Sequence, residues 1–434
     1  MRVAIIGGGF GGLTTAYFLS KKGYEVTVFE SQNHFGGLTA TFRVGDSNLE
    51  YFYHHLFSSD EDILDLARAL KVKINFSSPP MGIYYDNRLY PFSTAIDALK
   101  FKPLSFVNRI RFGLVTIYLK FLVRWQTLEN VTAVSWAKKW FGLRIFQVIW
   151  EPLLKSKFGH YANDVAMVWL WARIKTRSQK LGYPVGGFQS ITDGLLAELL
   201  KRGVTLEKGT AVTKIIRKSD QSLDAVVNGE SRNFDRVIFK GPLPSFLEVA
   251  EGLPEDYRKK SAAVRFLSAS ALILVLKKSL SPIYWLNIND ETSPFLALVE
   301  QTRFISSEKY NHQTVVYLGN YLEDADPRLK LSKEDLFKLY RPYLMKINPD
   351  FSEAWINNSF LFTLPAAQPV VDCGYRQKAR PDYRTPLQNL FLITQAQVYP
   401  WDRGLNYIVR QARELTENEF PEVMTAEKTP SYDE

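Results

Sequence analysis

The chain has 434 residues, 46% of them hydrophobic and 23% charged, with a formal net charge of +9. That balance is ordinary for a water-soluble chain of two or three domains, and no run reaches the ~18 uncharged apolar residues that a membrane-spanning helix needs. The basic residues are interspersed with acids and no nucleic-acid module appears, so a phosphate-bearing ligand or an anionic membrane surface explains the charge better than nucleic acid, a solvated basic surface being the bland alternative.

A single cysteine, Cys373, excludes an internal disulfide framework and fits a reducing, cytoplasmic setting. The five histidines lack zinc spacing, so no metal is expected. Aromatic residues are abundant at 14%, which points to apolar cavities or interfaces or to an aromatic-rich core.

Residues 3–6, V-A-I-I, read as a strand buried on both faces. Gly7, Gly9 and Gly12 then form G-x-G-x-x-G with Gly8, Phe10 and Gly11 between them, and Leu13, Ala16, Tyr17 and Leu19 recur at helical spacing. The glycines permit a tight turn, close approach of backbone to a pyrophosphate, and close packing of helix on strand. A second strand over 25–29 ends in Glu30, which lies 18 residues past Gly12, near the spacing at which a carboxylate receives a ribose hydroxyl. Strand, glycines, helix, strand and acid in register predict a dinucleotide-binding βαβ unit.

After Glu30 and Ser31 comes a second glycine pair, Gly36-Gly37, followed by Leu38. Loop, acid and G-G pair together resemble the flavoprotein superfamily of amine oxidases, protoporphyrinogen oxidases, phytoene desaturases and UDP-galactopyranose mutases. Many members carry G-G-R there, and Leu38 is nearer the mutase pattern. The resemblance implies a Rossmann-like FAD-binding domain with an inserted α+β substrate domain of mixed sheet and helices, an α/β fold overall. It implies a non-covalent FAD held by Gly7, Gly9, Phe10, Gly11, Gly12, Glu30, Ser31, Gly36, Gly37 and Leu38. In the family the stretch around 50–57 passes near the flavin, which makes His54 and His55 candidates for donating to it or shuttling a proton, the alternative being structural packing.

Farther along, residues 59–70 read as an amphipathic helix, Pro79-Pro80 as a crossing into the second domain, and Asp86-Asn87 as a hairpin turn. Residues 104–125 are strongly apolar with Arg109, Arg111, Lys120 and Arg124 embedded. They read either as an amphipathic helix on a membrane or at the mouth of a lipophilic site, or as a core helix whose charges face water. Helices are expected over 136–146, 165–175 and 191–200, with a return crossing near Gly182–Gly187. Strands are expected over 204–206, 211–216, 234–240, 268–276, 284–287 and 315–318, and a capped helix from Ser332 that Pro342 should kink or end.

The resemblance assigns Val212 to the adenine. It assigns Gln395, in place of the family's aspartate, to the ribityl chain, and Gly404, Leu405 and Asn406 to the helix start over the flavin. Cys373 reads as an ordinary thiol rather than a covalent flavin anchor. The expected division is 1–78, 188–245 and 385–420 for FAD, 79–187 and 246–384 for substrate, and a disordered tail over 421–434. The functional expectation is hydride removal from a C–C or C–N bond of a small, largely apolar substrate. A redox-neutral mutase is the first alternative and a non-catalytic lipid escort the second.

Overall fold

A computed structural model describes residues 1–423. Five parallel strands form the first sheet, in the order Thr205–Lys208, Glu25–Glu30, Arg2–Ile6, Arg236–Lys240 and Leu390–Ile393. Ile5 lies level with Val28 on one side and Ile238 on the other. With neighbours on both edges and helices above, Val3 to Ile6 are buried, which is why the run carries no charge beyond Arg2. The helix Phe10–Lys21 shares one apolar cluster with Gln189–Lys201 and Leu405–Glu419, through Leu13, Ala16, Ile191, Leu195, Leu405 and Val409.

Seven strands form the second sheet, in the order Ile356–Pro369, Phe266–Leu276, Thr314–Leu322, Ala297–Glu300, Trp285–Ile288, Met81–Tyr85 and Arg88–Pro91. All neighbours are antiparallel except Trp285–Ile288 beside Met81–Tyr85. Helices Phe106–Phe121, Ala133–Trp140, Glu151–Phe158 and Met167–Thr176 pack with it through an aromatic-rich cluster that includes Phe112, Trp136, Trp150 and Trp169. This is the architecture that the resemblance implies, a Rossmann-like unit joined to an α+β unit.

Glu50 joins the two units. Its buried carboxylate accepts from the Tyr183 hydroxyl at 2.7 Å and from the Phe188 N–H at 2.8 Å, while its own carbonyl accepts from the Tyr317 hydroxyl at 2.7 Å. Burial pushes the Glu50 carboxyl above the ordinary range.

Four expectations need correction. The helix Lys333–Ile347 continues past Pro342 rather than ending there, because Leu336, Tyr340, Tyr343, Leu344 and Ile347 bury its inner face and outweigh the missing hydrogen bond. The helix expected over 136–146 ends at Trp140, where Gly142 takes φ +89°, and the chain restarts through a π turn, Phe146–Trp150. Within that turn the Asn289 side chain donates to the Val148 carbonyl, whose α-helical partner four residues on is Pro152, which has no N–H to give. The first residues of the expected tail are attached, since the Val423 N–H donates to the Lys22 carbonyl and the Tyr24 hydroxyl to that of Pro421. The rest of that tail, 424–434, lies outside the described residues.

The fourth concerns the helix expected over 104–125, which spans Phe106–Phe121 with Ser105 as its cap. Its buried face is only Phe112 and Leu119. Phe106, Val107, Leu114, Ile117, Phe121 and Leu122 are each more than half exposed, and Ile96 and Leu143 join them. The basic residues turn back instead: Arg109 donates to the Leu99 carbonyl, Arg111 to those of Trp140 and Lys139, and Lys120 to that of Arg177. No helix among the described residues is long and apolar enough to cross a membrane.

Candidate cofactor and substrate site

The first strand delivers the chain into Gly7 at φ +109°, where an added Cβ would lie 2.1 Å from the Lys240 carbonyl oxygen. At Gly12 it would lie 1.8 Å from the carbonyl oxygen of Gly7. These two glycines are required by the protein's own packing. Gly9 differs, because a Cβ there meets nothing closer than the Gly37 Cα at 3.6 Å. Space is left bare over the start of Phe10–Lys21, where no side chain caps the helix. That is the cradle a diphosphate fits.

Glu30 sits beside it. One carboxylate oxygen accepts the Gly8 N–H at 2.8 Å and the other the Gln32 N–H at 2.8 Å, which fixes the group and leaves further lone pairs for a ribose. Ser31 donates back to the Glu30 carboxylate at 3.3 Å and is otherwise exposed. The Gly36-Gly37 pair closes against the loop: the Gly36 N–H donates to the Gly8 carbonyl and the Phe10 N–H to that of Gly36. Thr210 donates its N–H to the Glu30 carbonyl, so the strand beginning at Val212 starts from the same end of the sheet.

Lys240 was not singled out by sequence. It ends the strand Arg236–Lys240, and its Cε would lie 2.2 Å from a Cβ on Gly11. Burial holds its ammonium down to about 8. A lysine against a helix N-terminus is electrostatically misplaced unless an anion lies between them. It therefore fits the same diphosphate.

A cavity of about 230 Å³ begins at Leu38, just past the second glycine pair, and is lined from both units. Its lining combines Leu38, Gln395, Gly404, Leu405 and Asn406 with Met81, Ser270, Trp285, Ala297, Tyr321 and Leu364 of the second sheet. Sequence positions assigned to cofactor and strands of the second sheet thus share one cavity. Gln397 spends its amide on the backbone of Leu392, Asp382 and Thr394, whereas the Gln395 side-chain oxygen is buried without a partner among the described residues. Of the two glutamines, Gln395 is the one free to receive a hydroxyl. Asn406 accepts the Ile63 N–H at 3.1 Å, so its side chain ties the last helix to Glu61–Ala69.

His54 and His55 both line the cavity. His54 donates through Nε2 to the Leu38 carbonyl at 2.9 Å, and His55 Nδ1 lies 3.1 Å from the Tyr284 hydroxyl. Withdrawal from solvent, with repulsion from nearby arginines, lowers His54 to about 4 and His55 to about 3. Both rings are neutral at neutral pH, which leaves each as a neutral donor or acceptor on the cavity wall. Cys373 is half-buried and lies outside the cavity lining.

The wall also holds charges that sequence reading passed over: Lys157, Arg173, Arg177, Asp402 and Arg403. The signal for two of them was present, since Asp402-Arg403 immediately precede the helix-opening Gly404. Burial lowers Lys157 to about 7 despite Asp402 at 3.5 Å. Burial also raises the Asp60 carboxyl to about 6, and Asp60 accepts the Phe57 N–H.

The family profile described as flavin containing amine oxidoreductase matches residues 10–398. The chain belongs to that family. Among curated proteins it is similar to a 4,4'-diapolycopen-4-al dehydrogenase of Metabacillus indicus, 24% identical over 65% of this chain and 63% of that one. It is also similar to a coproporphyrinogen III oxidase of Staphylococcus aureus (strain NCTC 8325 / PS 47), 22% identical over 65% and 57%. The chain thus spans about three fifths of the length of these relatives. In fold it resembles reduced UDP-galactopyranose mutase, with a TM-score of 0.74, 17% identity, and coverage of 95% of this chain and 94% of that one. Family membership makes a flavin the group against which the cradle is to be judged, and the bare Gly9, the fixed Glu30 and the unpartnered Gln395 fit it.

Proposed function

We propose that this chain binds FAD non-covalently and removes a hydride from a C–C or C–N bond of a largely apolar substrate reached from a membrane surface. The observation that carries this reading is the shared cavity, which the helix start Gly404–Asn406 lines together with apolar residues of the second sheet. The names of the two curated relatives, a dehydrogenase and an oxidase, support net oxidation.

The bound flavin supplies a hydride acceptor. The chain's residues supply the rest. Trp285, Leu296 and Leu364 keep water from the reacting bond. Hydride loss must be matched by loss of a proton, and Lys157 and Asp60 are wall groups that titrate near neutrality, at about 7 and about 6. Neutral His54 holds the Leu38 carbonyl, and through it the second glycine turn.

Membrane delivery rests on the outward face of Phe106–Phe121. Exposed aromatic and aliphatic side chains flanked by Arg109, Arg111, Lys120 and Arg124 suit the headgroup boundary of an anionic bilayer, where basic stems lie along the surface.

The test is anaerobic mixing of the flavin-loaded protein with a polyunsaturated fatty acid, a polyene and a porphyrinogen. Bleaching of the flavin by one of them, with a product two hydrogens lighter, is the expected result. A product of unchanged mass would replace the proposal with a redox-neutral isomerase.

A further inference from the structure

Four cationic side chains, Lys157, Arg173, Arg177 and Arg403, line the cavity, against two carboxylates, Asp402 and Asp60. Asp402 is fully used. Its Oδ2 takes Arg173 at 3.1 Å and Lys157 at 3.5 Å, and its Oδ1 accepts the Trp169 indole N–H and the Arg403 backbone N–H. Asp60 is held at the start of its own helix by the Phe57 N–H.

Arg177 and Arg403 have no carboxylate within ion-pair distance among the described residues. The Arg177 guanidinium reaches only the Met81 sulfur at 3.8 Å. That of Arg403 donates to the neutral Gln368 side chain at 3.0 Å and lies over the Tyr321 ring at 4.6 Å. Arg173 repels each of them, and desolvation with that repulsion lowers the half-buried Arg403 to about 10. Two cations without a counter-ion leave the cavity with an excess of positive charge, which a ligand that brings an anion offsets. A guanidinium fork suits the oxygens of a carboxylate or phosphate.

The anion is not the cofactor's diphosphate, whose cradle is formed by Gly7–Gly12, Gly36-Gly37 and Lys240. Arg177 and Arg403 instead touch Met81, Gln368 and Tyr321, all on the second sheet. We infer that the substrate bears an acidic group, a carboxylate or phosphate, bound by Arg403 on the substrate side of the cavity, with Arg177 adding to the positive field of the same wall. Taken with the proposed function, this makes the substrate an amphiphilic acid rather than a neutral hydrocarbon or an amine.

The test is equilibrium binding of oleate, oleyl alcohol and inorganic phosphate to the flavin-loaded protein, read by tryptophan quenching and by the flavin difference spectrum. Oleate should bind at least about tenfold more tightly than oleyl alcohol, the margin of a charge-assisted hydrogen bond. Arg177→Gln with Arg403→Gln should remove that margin, leaving the alcohol unchanged and the flavin in place, while Arg403→Lys should restore part of it. Competition by phosphate would extend the site to phosphorylated substrates, and phosphate binding without oleate binding would keep the acid site while removing the apolar part of the functional reading. Equal affinity for acid and alcohol would overturn the inference, as would loss of flavin from the double variant, which would assign the arginines to the cofactor. A colourless parent that still prefers oleate would overturn the oxidoreductase reading and leave the acid site standing.

Discussion

Glu30 is held by two backbone N–H groups before any ligand arrives, so its carboxylate is already ordered where a ribose would meet it. A hydrogen bond to such a charged group is worth ~1.5–3 kcal/mol. Glu30→Ala should therefore weaken FAD by roughly ten- to a hundredfold, measured by fluorescence titration of the flavin-free protein. Unchanged affinity would remove Glu30 from the cofactor site. His54 makes a different prediction, about acid. Its folded-state value of about 4 lies below the ordinary 6.5, so the unfolded chain binds the proton first as pH falls. Its contribution to stability is complete above about pH 6.5 and is lost as pH falls toward 4. At full protonation the loss is on the order of 3 kcal/mol, reduced by whatever solvent reaches the ring. His54→Gln keeps a donor for the Leu38 carbonyl and should flatten the fall in urea midpoint across that range. An identical pH dependence in the variant would show that the ring is solvated.

At the scale of single elements, the helix Phe106–Phe121 was legible as apolar with embedded cations, but periodicity could not tell which face would be buried. The fold decides: only Phe112 and Leu119 turn inward, and the arginines fold back onto backbone carbonyls. The protein should float with anionic vesicles and be released by salt. Changing Arg109, Lys120 and Arg124 together to Glu should abolish flotation while the flavin stays bound. A parent protein that remains at the bottom of the gradient would leave the exposed face without a membrane role. The opening βαβ unit was legible for the opposite reason, since strand, turn glycines, helix and acid are contiguous and each constrains the next. The strand Ile356–Pro369 was not foreseen, because its pairing with Phe266–Leu276 joins stretches some ninety residues apart and its own alternation is broken by a bulge and by Pro365 and Pro369. Part of the cationic wall escaped for the same reason, because Lys157 and Arg173 come from separate elements and only the closed fold brings them to Asp402.

For the whole molecule, cofactor and stability are linked, because the glycine loops, Glu30, Lys240 and Gln395 come from distant parts of the chain and converge only when it is folded. A ligand that binds only that state stabilises it by mass action. The most direct check is acid precipitation of the purified protein, with mass spectrometry of what is released and of the pellet. The predicted result is a yellow protein that releases FAD, about one molecule per chain, and a pellet with the mass of the bare polypeptide. A colourless protein that takes up no FAD, or a flavin that stays with the pellet, would contradict non-covalent FAD binding and the chemistry built on it.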